Sequence, residues 1–441
     1  MASMEVTSRD IMVVSSESSW PLILVTGATG YIGSHVVLEL LKQAKFGVVA
    51  LDSLKNSSLE CLERVRHLAR DGRIATGNRN MDGDGVPPLY FHQTDIRERD
   101  QLRDVFDLYK VQTKSGQDSQ SRIKHVIHFA ALKSVSGSRL NPRSYYSTNV
   151  LGTANLLKVM HHSGVSSIVF SSSAVVYGQR EESDEPKFST DLLSESECLV
   201  SAQQTETESV ENYQRITNPY GQTKLMCEEL IHKLCSRSVE QSHRSGLKSK
   251  ATSFRAAILR YTNPSGNHPS GMIGDSPFDA ENLMPIAAQV LQGRREKMLI
   301  YGADYPTKDG TGIRDFIHVQ DLAKGHLAAL DELQRFYITH LHIAGAHVIK
   351  ISIFSLGTGK GASVIEVIEA LMKVSGKVIN FKIASRRPGD LAVVVCDPSK
   401  AEKELGWKAE KGVEEMARDL WFFCLKNPNG LMNQKKRKVD L

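Results

Sequence analysis

The sequence LILVTGATGYIG, at residues 22–33, joins a short apolar run to three glycines spaced three apart. Apolar residues then recur at helical spacing over residues 32–41, so the segment predicts a strand, a tight turn and a helix. Glycine in such a turn lets backbone N–H groups approach a phosphate, and the start of the helix adds partial positive charge. Gly27, Gly30 and Gly33 are therefore candidate contacts for the pyrophosphate of a dinucleotide.

An acidic residue follows the second predicted strand, at residues 47–51. Asp52 lies 19 residues after Gly33. A carboxylate at this position can accept hydrogen bonds from the adenosine ribose, and it would repel a 2′-phosphate. The sequence therefore favours NAD over NADP as cofactor. The alternative is a glycine-rich turn in a protein that binds no nucleotide, and the flanking strand and helix argue against it.

Four more short apolar runs follow along the chain, and a segment of helix length separates each run from the next. Their length and spacing are typical of buried strands that alternate with helices. We therefore predict an α/β fold built on a Rossmann-like, doubly wound parallel sheet. The runs lie at residues 89–91, 125–129, 167–170 and 257–260.

The composition is that of an ordinary globular protein. The net charge is +5, and four basic residues stand together at residues 435–438, which argues against a nucleic-acid surface over the whole body. No stretch reaches the roughly 18 apolar residues of a membrane span. The six cysteines form no C-x-x-C pair, and no metal site is predicted. We expect a reducing, cytoplasmic compartment, with nuclear import through the basic tract as a minor alternative.

Two further motifs carry groups that an oxidation would need. Tyr220 and Lys224 stand four apart at the start of a helical pattern and share one helix face. A neighbouring lysine cation and a nicotinamide cation would lower the tyrosine pKa from near ~10 towards neutrality and make the phenol a base. Ser173 follows the strand at residues 167–170, where doubly wound sheets bind ligands. Each motif alone would be a surface pair or a serine-rich turn, but their order with the glycine motif indicates a dehydrogenase.

With these motifs the chain resembles the extended short-chain dehydrogenase/reductase family, and within it the UDP-glucose 4-epimerases. The resemblance implies reversible interconversion of UDP-glucose and UDP-galactose through a 4-keto sugar, with tightly bound NAD and commonly as a homodimer. It extends from about residue 22 to about residue 430. The segments that carry it are residues 25–34, 128–133, 171–178, 218–224, 260–271, 282–285, 301–321 and 386–390.

The resemblance also implies roles for individual residues. It makes Tyr220 the base, gives Lys224 the nicotinamide ribose and the tuning of Tyr220, and makes Ser173 a support for proton transfer. The implied cofactor contacts are Gly27, Gly30, Tyr31, Ile32, Gly33, Asp52, Asn56, Ser57, Asp95, Ile96, Phe129, Ala130, Lys133, Asn149, Tyr177, Tyr220 and Lys224.

The C-terminal half is implied to hold the UDP-sugar, because two arginines can grip a diphosphate through paired hydrogen bonds. The implied substrate contacts are Lys133, Ser173, Tyr220, Asn263, Asn282, Arg314, Arg387, Asp390 and Val394. The alternative for the two arginines is surface ion pairing with Asp315 and Asp390. Val394 stands where a bulky aromatic residue restricts some relatives to non-acetylated sugars, so we also expect room for UDP-N-acetylhexosamines.

Two competing functions are weighed against the epimerase. A nucleotide-sugar 4,6-dehydratase or decarboxylase of the same family needs a further acid–base pair just after the active-site serine. Ala174 and Val175 occupy those positions. A non-catalytic NAD-binding regulator would have no need of Tyr220, Lys224 and Ser173 together. Both observations favour the epimerase.

The chain divides into four expected parts and three apparent insertions. The parts are an N-terminal extension (1–20), an NAD-binding domain (21–260), a smaller α/β lobe for the UDP-sugar (261–430) and a basic, disordered tail (431–441). The insertions are a surface loop at 71–88, a long mobile loop at 179–217 and an apolar stretch at 336–353 that could add a strand.

Overall fold

The structure is a computed structural model, and it describes residues 20–75, 86–112, 119–179, 192–198, 200, 206–244, 254–277, 280–340, 350–387 and 389–431. The expected N-terminal extension and basic tail lie almost wholly outside the described residues. No described helix has both the length and the apolar character that a membrane crossing requires.

Strands and helices alternate along most of the chain. The strands are β1 (Leu22–Thr26), β2 (Gly47–Asp52), β3 (Leu89–Gln93), β4 (Lys110–Gln112), β5 (Ser119–Ser121), β6 (Ile123–His128), β7 (Ser167–Ser171), β8 (Arg255–Tyr261), β9 (Pro264–Ser265), β10 (Met298–Tyr301), β11 (Ile313–Asp315), β12 (Ile317–His318), β13 (Lys350–Leu356), β14 (Gly361–Ser363), β15 (Phe381–Ala384) and β16 (Val393–Val394). The helices are α1 (Tyr31–Gln43), α2 (Glu60–Ala75), α3 (Arg99–Leu108), α4 (Val135–Leu140), α5 (Pro142–Tyr145), α6 (Gly152–His162), α7 (Glu206–Arg215), α8 (Pro219–Arg244), α9 (Leu283–Leu291), α10 (Val319–His340), α11 (Val364–Ser375), α12 (Ser399–Leu405) and α13 (Val413–Lys426).

Seven of these strands form one parallel sheet in the order β13-β8-β7-β6-β1-β2-β3. Ile23 and Val25 of β1 belong to the core that includes α1, α2 and α10, whereas Leu22 and Leu24 belong to the core that includes α3, α6 and α8. Successive side chains of a strand point to opposite faces, so burial on both faces explains why these strands are continuous apolar runs. The predicted doubly wound α/β fold is confirmed.

A smaller lobe packs α9, α11 and α13 around its own apolar core, with Met284, Val367 and Leu420 among the buried residues. The short pair β10–β15 and the three strands β14-β11-β16 complete this lobe. Between α9 and α11 the chain returns to the large sheet, where α10 packs on α1 and β13 pairs with β8. Both elements lie beyond residue 260, where the sequence analysis placed the start of the second lobe.

The expected insertions contain more regular structure than their composition suggested. The stretch at 336–353 supplies the end of α10 and the start of the edge strand β13, as anticipated. The expectation of a loop without periodicity at 179–217 is wrong for its described part, which holds α7 and a bridge between Leu193 and Cys396. At 71–88, α2 continues to Ala75, and residues 76–85 lie outside the described part.

Candidate functional site

The glycine turn after β1 is shaped for close approach of another backbone. Gly27 has φ +68°, and a Cβ on it would lie 2.8 Å from the backbone nitrogen of Ala130. A Cβ on Gly33 would lie 2.1 Å from the carbonyl oxygen of Gly27. Gly30 precedes α1, and no side chain caps that helix, so its first N–H groups are available to an anion. The hydroxyl of Tyr31 donates to the carbonyl of Gly266. The backbone N–H of Tyr31 stands at the glycine turn, as the first N–H of α1.

Asp52 is buried at the end of β2, beside this turn. Its carboxylate accepts hydrogen bonds from the backbone N–H groups of Thr29 (3.2 Å) and Leu54 (2.9 Å). It also accepts one from the Ser57 hydroxyl at 3.1 Å, whereas Asn56 is exposed. The carboxylate is therefore fixed between the glycine turn and the following loop, which suits a ribose at that place.

Asp95 and Ile96 follow the neighbouring strand β3. Asp95 forms ion pairs with Arg97 (2.7 Å) and Lys55 (3.1 Å), and the Arg97 guanidinium holds the pKa of this carboxyl well below its usual range. Ile96 is buried, and a Cβ on Gly152 of α6 would lie 2.5 Å from its Cδ1. The ion pairs thus favour the charged form of Asp95, and Ile96 packs against the start of α6, next to the region predicted for adenine.

The segment after β6 is held from behind by Asn149. The Asn149 side chain accepts from the Leu132 N–H at 2.8 Å and donates to the Leu132 carbonyl and the Thr223 hydroxyl. The structure therefore gives Asn149, a predicted cofactor contact, a bracing position between this segment and α8. Phe129 is half-buried and Lys133 is exposed at the surface of the same segment.

The predicted catalytic groups meet at the carboxyl end of β7. Tyr220 and Lys224 lie on the first turns of α8, and the Ser173 hydroxyl lies close enough to the Tyr220 phenol to lower its pKa. Lys224 is buried, with its Nζ 2.8 Å from the carbonyl oxygen of Ser171 and 4.9 Å from the ring centroid of Phe170. A base, a hydroxyl partner and a buried cation are thus brought together, as the spacing of the motifs predicted.

The predicted fall in the tyrosine pKa requires both the lysine and a nicotinamide cation, and the groups of the chain by themselves do not produce it. Burial raises the pKa of Tyr220 to about 12, although the hydrogen bond from Ser173 opposes the rise. Burial also lowers the pKa of Lys224 to about 8, and its ammonium is directed at a backbone carbonyl rather than at the phenol. Further positive charge near Tyr220 is needed to produce a phenolate at neutral pH.

Three consecutive serines at the end of β7 interact with three different residues. The Ser173 hydroxyl lowers the pKa of Tyr220, the Ser172 hydroxyl donates to Glu228 at 2.5 Å, and the Ser171 hydroxyl bonds the phenol of Tyr261. The sequence alone could not distinguish the three hydroxyls, because all three stand within two residues of the end of the strand. The structure assigns the contact with the candidate base to Ser173.

Two tyrosines, Tyr177 and Tyr261, lie in surroundings that the sequence did not suggest. Tyr177, predicted beside the nicotinamide, is 1% exposed, its hydroxyl lies 2.6 Å from that of Ser355, and the Arg260 guanidinium covers its ring. Because protein groups surround it, that prediction is not supported. The sequence analysis missed Tyr261, which lies near Tyr220. Burial raises the pKa of Tyr261, and the neighbouring Tyr220 adds to the rise. The place of Tyr261 at the carboxyl end of β8 was the available signal.

Arg314 lies on β11, half-buried, and its Nη1 donates to the carbonyl of Ile313 at 2.8 Å. The alternative of an ion pair with Asp315 is wrong, since that carboxylate accepts the backbone N–H and hydroxyl of Thr358 and the N–H of Cys396. Burial lowers the pKa of the Arg314 guanidinium, although nearby Asp390 opposes this effect. Arg314 therefore presents a cation that its own strand orients.

Arg387 does form the alternative ion pair, with its Nε 2.8 Å from Asp390, and its guanidinium lies 4.9 Å from the ring centroid of Tyr301. Beside it, Arg386 lies 4.1 Å from the ring of Tyr305. The sequence analysis missed Tyr301 and Tyr305, which lie within the segment 301–321 that carries the family resemblance. The two exposed arginines thus lie against one exposed ring, Tyr301, and one buried ring, Tyr305.

The other predicted substrate contacts lie nearby or at the start of α9. Val394 pairs with Arg314 in the parallel strands β11 and β16. Asn263, with φ +35°, donates to the carbonyl of Asp315 at 3.1 Å and is exposed. Asn282 is exposed immediately before α9. The structure thus gathers Val394, Arg314 and Asn263 around one short strand.

A doubly wound sheet that presents a glycine turn and a Tyr–Lys helix at the carboxyl ends of its strands defines a short-chain dehydrogenase/reductase. A sequence profile described as the NAD dependent epimerase/dehydratase family matches residues 23–340. The chain belongs to that family.

Individual relatives are similar over nearly the whole chain. UDP-glucose 4-epimerase 2 of Arabidopsis thaliana is 42% identical over 409 residues, which cover 92% of this chain and 96% of that protein. UDP-glucose 4-epimerase of Bacillus subtilis is 41% identical over 92% of this chain and 98% of its own length. The crystal structure of UDP-glucose 4-epimerase from Bifidobacterium longum in complex with NAD+ and UDP matches with a TM-score of 0.68 at 36% identity, covering 93% of this chain and 100% of that chain.

Proposed function

We propose that this protein is a UDP-glucose 4-epimerase, which interconverts UDP-glucose and UDP-galactose with bound NAD. The observation that carries the proposal is the placement of Tyr220 and buried Lys224 on one face of α8, with Lys224 donating to the carbonyl of Ser171 at 2.8 Å, two residues before Ser173. The curated relatives at about 41% identity, named UDP-glucose 4-epimerases, support the same reaction. Ala174 and Val175 supply no carboxylate for a dehydration, so the alternative dehydratase is not favoured.

The residues around the glycine turn fit NAD. The turn of Gly27, Gly30 and Gly33 would hold the pyrophosphate, because no side chain caps the start of α1 and its first N–H groups are available to an anion. Asp52 would hold the adenosine ribose, and Lys224 the nicotinamide ribose. NAD bound there would supply an acceptor and donor for the hydride at C4 of the sugar, and its oxidised ring would add positive charge.

The chain's own residues handle the proton and the nucleotide. Tyr220 takes the proton of the sugar 4-hydroxyl. It gives the proton back to the 4-keto sugar after that sugar has rotated to present its opposite face. Ser173 would favour the phenolate, because its hydroxyl lowers the pKa of Tyr220. Arg314 and Arg387 would hold the diphosphate while the sugar turns, since guanidinium groups bind phosphate with two parallel hydrogen bonds.

A direct test is to incubate the purified protein with UDP-galactose, without added cofactor, and to quantify UDP-glucose and any released dinucleotide. We expect UDP-glucose to form at a rate that added NAD does not change. Conversion to a dehydrated or decarboxylated sugar would favour the alternative enzyme. Full biological activity of a Tyr220→Phe protein would favour the non-catalytic regulator.

The same site supports acceptance of N-acetylated substrates. Val394 lies on β16 next to Arg314, and its small side chain leaves more room than an aromatic ring would. We expect turnover of UDP-N-acetylglucosamine, and we expect Val394→Tyr to lose that turnover while it keeps the reaction with UDP-galactose. Failure of the wild-type protein to convert the acetylated sugar would contradict this extension.

Assembly and location are part of the same proposal. Leu140, at the end of α4, is 87% exposed, and Leu151, next to α6, is 51% exposed, and we propose these two side chains as contacts of a homodimer formed through paired helices. Sedimentation of the wild-type protein as a dimer, and of a Leu140→Lys/Leu151→Lys variant as a monomer, would support it. All six cysteines are free, which agrees with a reducing cytoplasm, and cell fractionation tests that location.

A further inference from the structure

Behind the catalytic groups lies a fully buried ion pair that the proposed reaction does not use. Glu228 of α8 and Arg260 of β8 both have side chains that are 0% exposed. The Nη2 of Arg260 lies 2.6 Å from Oε2 of Glu228, and its Nε lies 3.2 Å from Oε1. Burying two charges costs solvation that their attraction repays only in part, so such a pair is weak evidence of a role in stability. A role in positioning is therefore worth testing.

The pair is connected to the strand-end turn that carries the catalytic serine. Oε1 of Glu228 accepts the hydroxyl of Ser172 at 2.5 Å. The backbone N–H of Ser172 in turn donates to the carbonyl of Leu259 at 2.8 Å, at the end of the neighbouring strand. Ser172 is thus held from both sides by groups that do not touch the substrate region.

Helix α8 is attached to this turn at three successive helical turns. Residues 220, 224 and 228 are spaced by four and therefore lie on one face of the helix. The Ser173 hydroxyl lowers the pKa of Tyr220, and Lys224 donates to the Ser171 carbonyl at 2.8 Å, and these two interactions involve the catalytic pair. The bond from Ser172 to Glu228 is the third contact, and it fixes the same helix against the same turn.

We infer that Glu228, neutralised by Arg260, is a positioning residue that acts through Ser172 to set the distance between Ser173 and Tyr220. The inference rests on the proposed epimerase function. Small misplacements of reacting groups have large effects on rate, so loss of this contact reduces turnover rather than substrate binding.

The same pair also reaches the 179–217 segment. Nη1 of Arg260 donates to the carbonyl of Cys198 at 2.9 Å. Five residues earlier, Leu193 exchanges backbone hydrogen bonds with Val395 and Asp397 of the smaller lobe. Arg260 therefore holds the catalytic turn and the segment that bridges to the substrate region in one arrangement.

The test compares two serines of the same strand region. Ser172→Ala removes the hydroxyl that connects the pair to the turn and leaves Glu228 and Arg260 paired. Ser167→Ala is the matched control, because Ser167 is also 0–1% exposed and uses one side-chain contact, with His125 at 2.8 Å, at the opposite end of β7. Both proteins are purified with their bound dinucleotide and assayed with UDP-galactose.

We expect Ser172→Ala to lower kcat by roughly 10- to 100-fold, with the KM for UDP-galactose and the dinucleotide content unchanged. We expect Ser167→Ala to lose about as much thermal stability as Ser172→Ala and to keep the wild-type kcat. Equal kcat values for the two variants would overturn the inference, as would a Ser172→Ala effect confined to KM.

A second variant separates the charge from the hydrogen bond. Glu228→Gln keeps an oxygen for Ser172 but leaves Arg260 without its counter-charge. We expect its free energy of unfolding to fall by more than the activation free energy that corresponds to its fall in kcat. Should that protein not fold, the serine pair still decides the question. An inactive wild-type protein would refute the proposed function itself, whereas an active wild type with an unaffected Ser172→Ala would refute the positioning role alone.

Discussion

The catalytic half and the nucleotide-holding half of the site are built in opposite ways. Around Tyr220, the partners Lys224 and Glu228 are buried, and each is bonded to the turn after β7. Around the predicted diphosphate position, Arg387 is 58% exposed and is paired with its own neighbour Asp390. One half is fixed by internal hydrogen bonds, and the other is open to solvent.

The difference follows from what each half has to do. A proton and a hydride can be moved efficiently only between groups that are held in place before the substrate arrives. A diphosphate is bound by long-range charge and by guanidinium groups that can adjust, and these groups can remain in water until the ligand binds. Variants in the two halves should therefore change different kinetic quantities.

The largest effect is expected from Tyr220→Phe. The variant keeps the ring but loses the proton acceptor, so we expect kcat to fall by about 10²- to 10⁴-fold while UDP affinity stays unchanged. Stopped assays of UDP-galactose conversion and calorimetry with UDP measure the two quantities. Tyr109→Phe is the matched control, because it removes a buried phenol that bonds His92 at 2.8 Å away from the site. Comparable kcat losses in both variants would contradict the role of Tyr220.

A smaller effect is expected from the two arginines, and it should differ between them. Arg314→Met removes a half-buried cation that its strand orients, and we expect KM to rise about 10- to 100-fold, as for loss of a charged hydrogen bond. Arg387→Met removes an exposed cation already paired with Asp390, so we expect a rise of only about 2- to 5-fold. Steady-state kinetics with UDP-galactose distinguish the two, with kcat unchanged in both. Equal effects would show that exposure does not separate them.

The last expected effect is a fall in the free energy of unfolding at low pH. Burial lowers the pKa of His128 in β6 from its ordinary value of 6.5 to about 3. Between these values the unfolded chain binds a proton that the folded chain does not, so the free energy of unfolding falls as the pH drops below about 6.5. The loss between pH 7.5 and pH 5.5 is about 1.4 kcal/mol for this histidine. Urea unfolding at both pH values measures it.

His162→Gln is the control for the acid effect, because this side chain is exposed at the end of α6. We expect His128→Gln to be less stable than the wild type at neutral pH, since its bonds to Thr26 and Thr153 are altered, but to lose less stability on acidification. If His128→Gln keeps the full pH dependence of the wild type, His128 does not contribute to it.

The sequence predicted the groups whose position depends on a single element. Gly27 and Gly33 could be recognised because a turn between a strand and a helix requires them, and Tyr220 and Lys224 because a spacing of four fixes their common face. Tyr177 is more buried than the prediction implied, and Tyr261 was missed, because one comes after β7 and the other ends β8, and the sequence does not show which of two neighbouring strand ends faces the helix. The ion pair of Glu228 with Arg260 joins residues 32 positions apart and had no local signal.

By itself the sequence determined the alternation of strands and helices, the glycine turn, and the family to which the chain belongs, because these depend on local spacing and on residue types. Only the tertiary structure decided which serine meets Tyr220, that Arg387 rather than Arg314 is ion-paired, and that burial raises rather than lowers the phenol pKa. Hydrogen-bond partners and solvation depend on which surfaces the packed elements bring together, and that arrangement is not encoded in any one segment.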